Sequence, residues 1–165
     1  MARATDVNEL AEHPNLTAVG LLVEVHAGLA ASLGPSLEAD HGLPGQRFEV
    51  LLRLVRSPGE RLRMTDLAAQ TTLSASGLTR VVDRLVDEGL VERAACPSDR
   101  RGAYAVLTAA GRTRVLTAVP DHLEQITSIL AQALSPHEIE TLSALLRRLR
   151  DVVHPDATRH TDTDC

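Results

Sequence analysis

The chain has 165 residues, enough for one hydrophobic core or two small ones. Phe48 is its one phenylalanine, Tyr104 its one tyrosine, and tryptophan is absent, so Leu, Val and Ala must fill the interior, a composition that favours helices. Its two cysteines, Cys96 and Cys165, form no disulfide framework. No secretory segment and no apolar run long enough to span a bilayer is read, so a cytoplasmic protein without a membrane partner is expected.

The net charge of −5 argues superficially against nucleic acid, but it is unevenly spread. Pro44 to Arg101 carries 10 arginines and 8 acids, and the remainder 7 arginines and 14 acids. Where the charge sits matters more than its sum. Every basic residue is arginine, with no lysine, which reads as the codon bias of a GC-rich genome.

Residues 1–13 are polar and expected to be flexible. A long helix follows from Pro14 to about Ala39, with Leu16, Val19, Val23, His26, Ala30, Leu33 and Leu37 at alternating spacings of three and four. Pro35 predicts a kink or break near its end. Leu43 to Ser57 is a second helix, with Pro44 in its first turn and Phe48, Leu51, Leu52 and Val55 facing inward. Ser57-Pro58-Gly59 makes a turn, and Thr65 to Thr71 a short helix.

Leu73 to Leu90 carries the sharpest pattern. Leu78, Val81, Val82, Leu85 and Val86 form one apolar stripe of a helix. Ser76, Thr79, Arg80, Asp83, Arg84 and Asp87 occupy the opposite face. Ser74 stands where an N-cap belongs, and Gly89 supplies the stop. A short helix with hydroxyls and arginines near its start has the chemistry of one that reads a DNA major groove. Leu90 to Arg93 and Ala103 to Leu107 then read as the two strands of a hairpin, joined by a turn at 96–102.

Thr108 caps a long helix to about Leu134, with Leu116, Val119, Leu123, Ile126 and Leu130 as its stripe and a kink predicted at Pro120. Ser135-Pro136-His137-Glu138 is a capping box opening a last helix to about Val153. Residues 154–165 have no stripe to bury and read as a disordered tail.

Helix, turn, helix and basic-tipped hairpin together describe a winged helix-turn-helix. The stretch from Gly59 to Arg112 closely resembles the MarR (multiple antibiotic resistance regulator) family. The most specific pieces are Val82-Asp83-Arg84-Leu85, Glu88-Gly89-Leu90-Val91-Glu92-Arg93, Asp99-Arg100-Arg101, and Leu107-Thr108 with Gly111-Arg112. The chain departs from the family pattern at Pro44 and Arg63, where Ser or Thr caps are usual, at Gly77, where a larger residue is usual, and at Cys96, where Asp is common.

The fold expected is mainly α with a small β-wing, a winged helix-turn-helix lobe on a helical dimerisation region. The division expected is a flexible 1–13, a dimerisation helix over 14–42, the DNA-binding domain over 43–107, dimerisation helices over 108–153 and the tail over 154–165.

The resemblance implies sequence-specific binding of double-stranded DNA by a homodimer at a pseudo-palindrome, with repression more common than activation. It also implies release by a small, often aromatic, anion bound between dimer region and DNA lobe. DNA contacts are assigned to Arg63, Ser74, Ser76, Thr79, Arg80, Arg84, Arg100 and Arg101. Arg80 is placed at a base edge or its flanking phosphate, and Arg101 in the minor groove. Arg84 could instead pair with Asp83, Asp87 or Glu88. Asp99 is expected to pair with Arg93 and stiffen the wing. By position, His26, His41, Arg47 and Phe48 are the candidates for an effector.

No catalytic motif and no metal-ligand spacing appears, so no enzyme, cofactor or metal is expected. Other readings stay open. One is a winged helix that binds protein. A second is redox response through Cys96, placed at an exposed turn near Arg93 and Arg100. The third is a loose metal site of His154, His160, Asp162, Asp164 and Cys165 in the tail.

Overall fold

The longest helix opens at Pro14, whose missing N–H falls among those that no helical carbonyl would accept. In this computed structural model, which describes residues 7–71, 73–96, 102–158 and 160, the helices are α1 Val7–Ala11, α2 Pro14–His41, α3 Gly45–Val55, α4 Met64–Gln70, α5 Ala75–Asp87, α6 Ala109–Ala131 and α7 Pro136–Val153. The strands are β1 Arg61–Arg63, β2 Val91–Ala95 and β3 Ala103–Leu107, and short 3-10 turns cover Pro58–Glu60 and Pro155–Thr158. The mainly helical winged fold is thus as expected.

The helix α2 runs unbroken through Pro35, where a kink or break was expected. Its last turns are anchored from outside. Ser36 Oγ donates to Gln125 Oε1 of α6 at 2.7 Å, and Leu37 enters the core. Gly42, at φ 61°, returns its N–H to Glu38 and Leu37. By length and composition α2 is also apolar enough to cross a membrane, a property the sequence reading missed by treating the helix as interrupted.

The core gathers under the winged lobe. Phe48, Val50, Leu51 and Leu54 of α3 meet Leu67 of α4, Leu78, Val82 and Leu85 of α5, and Leu62, Val91, Ala105 and Leu107 of the sheet. Val50 and Leu54 are fully buried, while Leu52 and Val55, expected inward, are only partly so. The sheet is antiparallel in the order β1-β3-β2, with Leu62 opposite Ala105 and Arg93 opposite Ala105 on its other side. Three residues are too few to show a period, so β1 gave no signal in the sequence.

The first half of α6 buries Gly111, Val115 and Ala118. The expected stripe is only partly inward: Leu116 and Leu123 are 64% and 57% exposed, so they form a second face. Leu16, Val19, Val23 and Val25 of α2 and Leu145, Leu149, Val152 and Val153 of α7 are exposed too. Among the described residues α7 buries none of its side chains within the single chain.

Both chain ends differ from the sequence reading. Val7–Ala11 is helical, and the start of the supposed tail is docked. Ala157 is 4% exposed, Arg53 donates to its carbonyl at 3.3 Å, and His154 Nε2 lies 2.6 Å from the carbonyl of Ala69 on α4. One alanine and one histidine suffice for this contact, which is why no apolar stripe announced it.

Candidate nucleic-acid interface

The helix α5 is fixed at both ends. Ser74 Oγ accepts from the Gly77 N–H at 3.1 Å. A Cβ at position 77 would sit 3.1 Å from that same oxygen, so glycine leaves the cap undisturbed. At the other end Gly89, at φ 70°, donates to Val86, and Leu90 donates to Leu85, a Schellman closure. Thr108 then bonds across to Gly89 and Leu90 through its hydroxyl and its N–H. Gly111 is needed for this join: a Cβ there would meet the Leu90 carbonyl at 2.1 Å.

With Leu78, Val82 and Leu85 in the core, the opposite side of α5 stands out as a ridge. Ser74, Ser76, Thr79, Arg80 and Arg84 are all exposed. Their present bonds are local: Thr79 Oγ1 donates to Ala75 O at 2.9 Å and Arg80 Nε to Ser76 O at 3.4 Å. Such bonds can be exchanged for a ligand without disturbing the core.

A cleft flanks each side of the ridge. One, of about 490 Å³, is lined by Arg47, Ser74, Gly77, Arg80 and Arg84. The other, of about 420 Å³, is lined by Arg63, Thr65, Thr79, Arg93 and Gly102. The structure therefore gathers Ser74, Arg80 and Arg84 on one side and Thr79, Arg63 and Arg93 on the other. The guanidinium forks suit phosphate or base edges in either cleft.

The described pairings add to or differ from those expected. Arg93 donates to Asp83 Oδ1 of α5 at 2.8 Å, a partner on the recognition helix that the sequence did not announce. Asp99, Arg100 and Arg101 lie outside the described residues. Glu88, offered as a partner for Arg84, pairs with Arg47 instead. Arg63 caps nothing with its side chain. Its Nε donates to Tyr104 Oη at 3.0 Å, and one terminal nitrogen lies 3.7 Å from Cys96 Sγ. Arg61 lies 5.3 Å from the Tyr104 ring centroid. Arg61 and Tyr104 were missed by the sequence reading; the alternation Arg61-x-Arg63 would have marked them had the strand been seen.

Cys96 is not at an exposed turn. It is 2% exposed and disulfide-bonded, and among the described residues the guanidinium at its sulfur belongs to Arg63. Among the described residues no group of three or more His, Cys, Asp or Glu could hold a metal. Asp162, Asp164 and Cys165 lie outside them.

The four residues proposed for an effector are not brought into one cavity. His26 is exposed on α2. Arg47 lines the cleft beside α5. Phe48 is in the core and meets His122 edge-on at 5.0 Å. His41 lines a larger cavity, about 710 Å³, with Asp40, Glu88, Thr113, Arg114 and Thr117, where α2 meets α6. His41 Nε2 is 3.0 Å from Asp121, and Arg114 donates to the His41 carbonyl at 2.9 Å. Burial pulls the His122 imidazole below its ordinary value. The capping-box bonds from Ser135 lower the Glu138 carboxyl.

Comparison with known proteins agrees with this geometry. The family model described as the MarR family matches residues 41–102. AbsC, a MarR family transcriptional regulator from Streptomyces coelicolor, is 32% identical, with a TM-score of 0.73 over 83% of this chain and 92% of its own. Sco3205, another MarR family regulator from that organism, was solved in complex with DNA; it is 29% identical, with a TM-score of 0.74 over 90% of this chain and 89% of its own. BpsR of Bordetella bronchiseptica, whose DNA binding is regulated by 6-hydroxynicotinic acid, is 27% identical, with a TM-score of 0.71 over 82% of this chain and 99% of its own.

Proposed function

Because the chain belongs to the MarR family and is a DNA-binding transcriptional regulator, not an enzyme, we propose that it acts in the cytoplasm as a homodimeric repressor of a pseudo-palindromic operator. The observation that carries this reading is the ridge of α5, its hydroxyls and arginines turned outward between two arginine-lined clefts. In a major groove the ridge offers Ser76 and Arg80 to base edges. Arg63, from the edge of the wing-side cleft, is offered to the phosphate backbone. The wing, with Arg100 and Arg101, follows into the adjacent minor groove.

The dimer is supported by the exposed apolar faces of α2, α6 and α7, which a single chain leaves uncovered. Residues 14–42 and 108–153 make the dimerisation region and 43–107 the DNA-binding domain. The apolarity of α2 then serves a partner helix and not a bilayer. An effector is proposed for the cavity lined by His41 and Arg114, where a planar carboxylate would find a cation at the joint of the two regions. Supporting that, BpsR responds to an aromatic carboxylate.

The test is to select duplexes from a random library with the purified protein, footprint the winners and sediment the protein alone. Two half-sites about 10 base pairs apart, and a dimer at micromolar concentration, are the expected results. A single unpaired half-site bound by a stable folded monomer would overturn the dimeric reading.

A further inference from the structure

The DNA lobe meets the long helices α2 and α6 at the start of α3. The chain crosses between the two regions at residues 42–44, from α2 to α3, and at Thr108, from β3 to α6. The cavity at His41 is lined from both crossings, by Asp40 and His41 and by Ala109 and Ala110. Nearby, Phe48 of α3 meets His122 of α6 at 5.0 Å. Adjacent crossings make a hinge, and a contact away from them decides where the hinge rests. We propose that residues 154–158 are that contact. They form a strap from α7 to the helix-turn-helix, which sets the distance between the two recognition helices of the dimer and so the half-site spacing the protein accepts. The proposal rests on the dimeric DNA-binding reading above.

Local chemistry makes the turn. Pro155 stops α7, because its ring and missing N–H cannot continue a helix. His154 donates its N–H to the Arg150 carbonyl at 2.7 Å and leaves the helical region at φ −145° and ψ 64°. The 3-10 turn Pro155–Thr158 follows, closed by the Ala157 N–H on the His154 carbonyl at 3.1 Å. Three contacts seat it on the lobe. His154 Nε2 lies 2.6 Å from the Ala69 carbonyl, in the last turn of α4, among the carbonyls that a helix cannot satisfy by itself. A carbonyl only accepts, so the imidazole donates from Nε2. Ala157 is buried against the lobe, and Arg53 of α3 donates to its carbonyl at 3.3 Å.

These contacts have leverage. The side chains of α7 are not buried within one chain, and its exposed Leu142, Leu145, Leu146 and Leu149 belong to the face assigned to a second copy. The helix α7 therefore moves with the dimer. Its far end holds α4, whose C-cap Thr71 stands three residues before Ser74, the N-cap of α5. What holds Ala69 thus holds the entry to the recognition helix. Arg53 stands eight residues beyond Gly45, the first residue of α3, which places the strap about 12 Å along that helix from the crossing. At that arm even a small swing of the lobe stretches the bond to Ala69 and lifts Ala157 from its seat.

The effect on DNA follows from this placement. Two recognition helices entering successive major grooves must stand about 34–36 Å apart. A strapped lobe presents that separation before DNA arrives. An unstrapped lobe samples others, so it accepts more spacings but gives up more freedom on binding any of them. Base readout inside each half-site is made by α5 itself and does not depend on the strap.

The experiment compares the full-length parent with Ala157→Glu, His154→Phe and His154→Gln. Each is sedimented, and amide exchange is followed over residues 64–70. Each is then titrated with duplexes carrying the two half-sites that the parent selects from a random library, at the selected spacing and at a base pair more or fewer. The parent should lose affinity steeply off the selected spacing. Ala157→Glu and His154→Phe should stay dimeric and exchange faster in α4. They should bind the selected spacing about fivefold or more weakly and lose the discrimination against shifted spacings, with base preferences inside each half-site unchanged. His154→Gln keeps a side-chain N–H donor and should match the parent. If Ala157→Glu does not fold, the two His154 variants decide. Equal weakening of His154→Phe at every spacing would make the turn a structural patch and overturn the proposal. So would exchange and spacing preference in His154→Phe that match the parent. A parent that is monomeric or reads a single half-site would overturn the dimeric reading and the strap with it; a spacing-selective parent with unaffected variants overturns the strap alone.

Discussion

Arg93 on β2 donates to Asp83 on α5 at 2.8 Å, tying the wing to the recognition helix. Both side chains are partly solvent-exposed, at 36% and 54%, so the pair should add little to global stability, about 0.2–1 kcal/mol. Its importance lies in angle. Asp83→Ala should leave the melting temperature nearly unchanged yet weaken specific DNA binding several-fold, because helix and hairpin no longer present themselves as one surface. Melting and duplex titration on the same preparation separate the two effects. Equal binding by Asp83→Ala and the parent would show that the bridge orients nothing.

The two kinds of arginine contact should part under salt. Arg101→Ala removes a guanidinium assigned to the minor groove, and should cost more on A·T-rich flanks than on G·C-rich ones. It should also flatten the slope of log affinity against log salt by about one unit for each guanidinium removed, about two per dimer. Arg80→Ala, on the ridge of α5, should cost about 1–3 kcal/mol per half-site and relax preference at one or two base pairs. Titrations on a matched duplex set at several salt concentrations read both. An unchanged slope and unchanged flank preference for Arg101→Ala would confine DNA contact to the helix.

Gly111→Ala should be one of the more damaging single-methyl additions in the molecule. The new Cβ would lie 2.1 Å from the Leu90 carbonyl and 2.8 Å from Leu107 Cδ1, so the first turn of α6 must move off the base of the hairpin. Overpacking of this kind costs about 1–3 kcal/mol. Chemical denaturation should show a lower midpoint. At Gly20, where a Cβ meets nothing within 4 Å, the same substitution should be near neutral or mildly stabilising. Equal midpoints for the two variants would contradict the packing described.

A pH effect follows from His122, which packs edge-on against Phe48 and whose Nδ1 is buried with no hydrogen-bond partner among the described residues. Its folded-state value is lowered by burial from the ordinary 6.5. Well above 6.5 the ring is neutral in both folded and unfolded chains. As pH falls through that value the unfolded chain takes up a proton that the folded chain resists, so stability drops until the folded ring also titrates. His122→Leu should therefore have a flatter stability profile than the parent between pH 7 and 5. Parallel profiles from denaturant titrations would assign the pH dependence to other groups.

What could be read in the sequence was whatever repeats or caps. The stripe of α5, Ser74 and Gly89 at its ends, and the Ser135 box at α7 each follow from local chemistry, and the structure places them as read. What escaped was decided by distant partners. Pro35 passes inside a helix because Ser36 and Leu37 are held from α6 and the core. The inward face of α6 belongs to Gly111, Val115 and Ala118, with Gly111 close against Leu90 and Leu107 at the base of the hairpin; the larger leucines had drawn the stripe to the other face. Arg93 chose Asp83, ten residues away, across a helix-strand corner that no spacing rule encodes.

The scarcity of aromatic residues has an optical consequence. With no tryptophan and one tyrosine in the sequence, ultraviolet emission from the folded protein comes from a single phenol, that of Tyr104. That phenol is 8% exposed, bonded by Arg63 and lying close to Arg61 at the root of the wing. Its quantum yield and lifetime should respond to whatever draws those two guanidiniums away. A label-free fluorimeter trace therefore watches one point of the molecule, the pair of guanidiniums at the root of the wing.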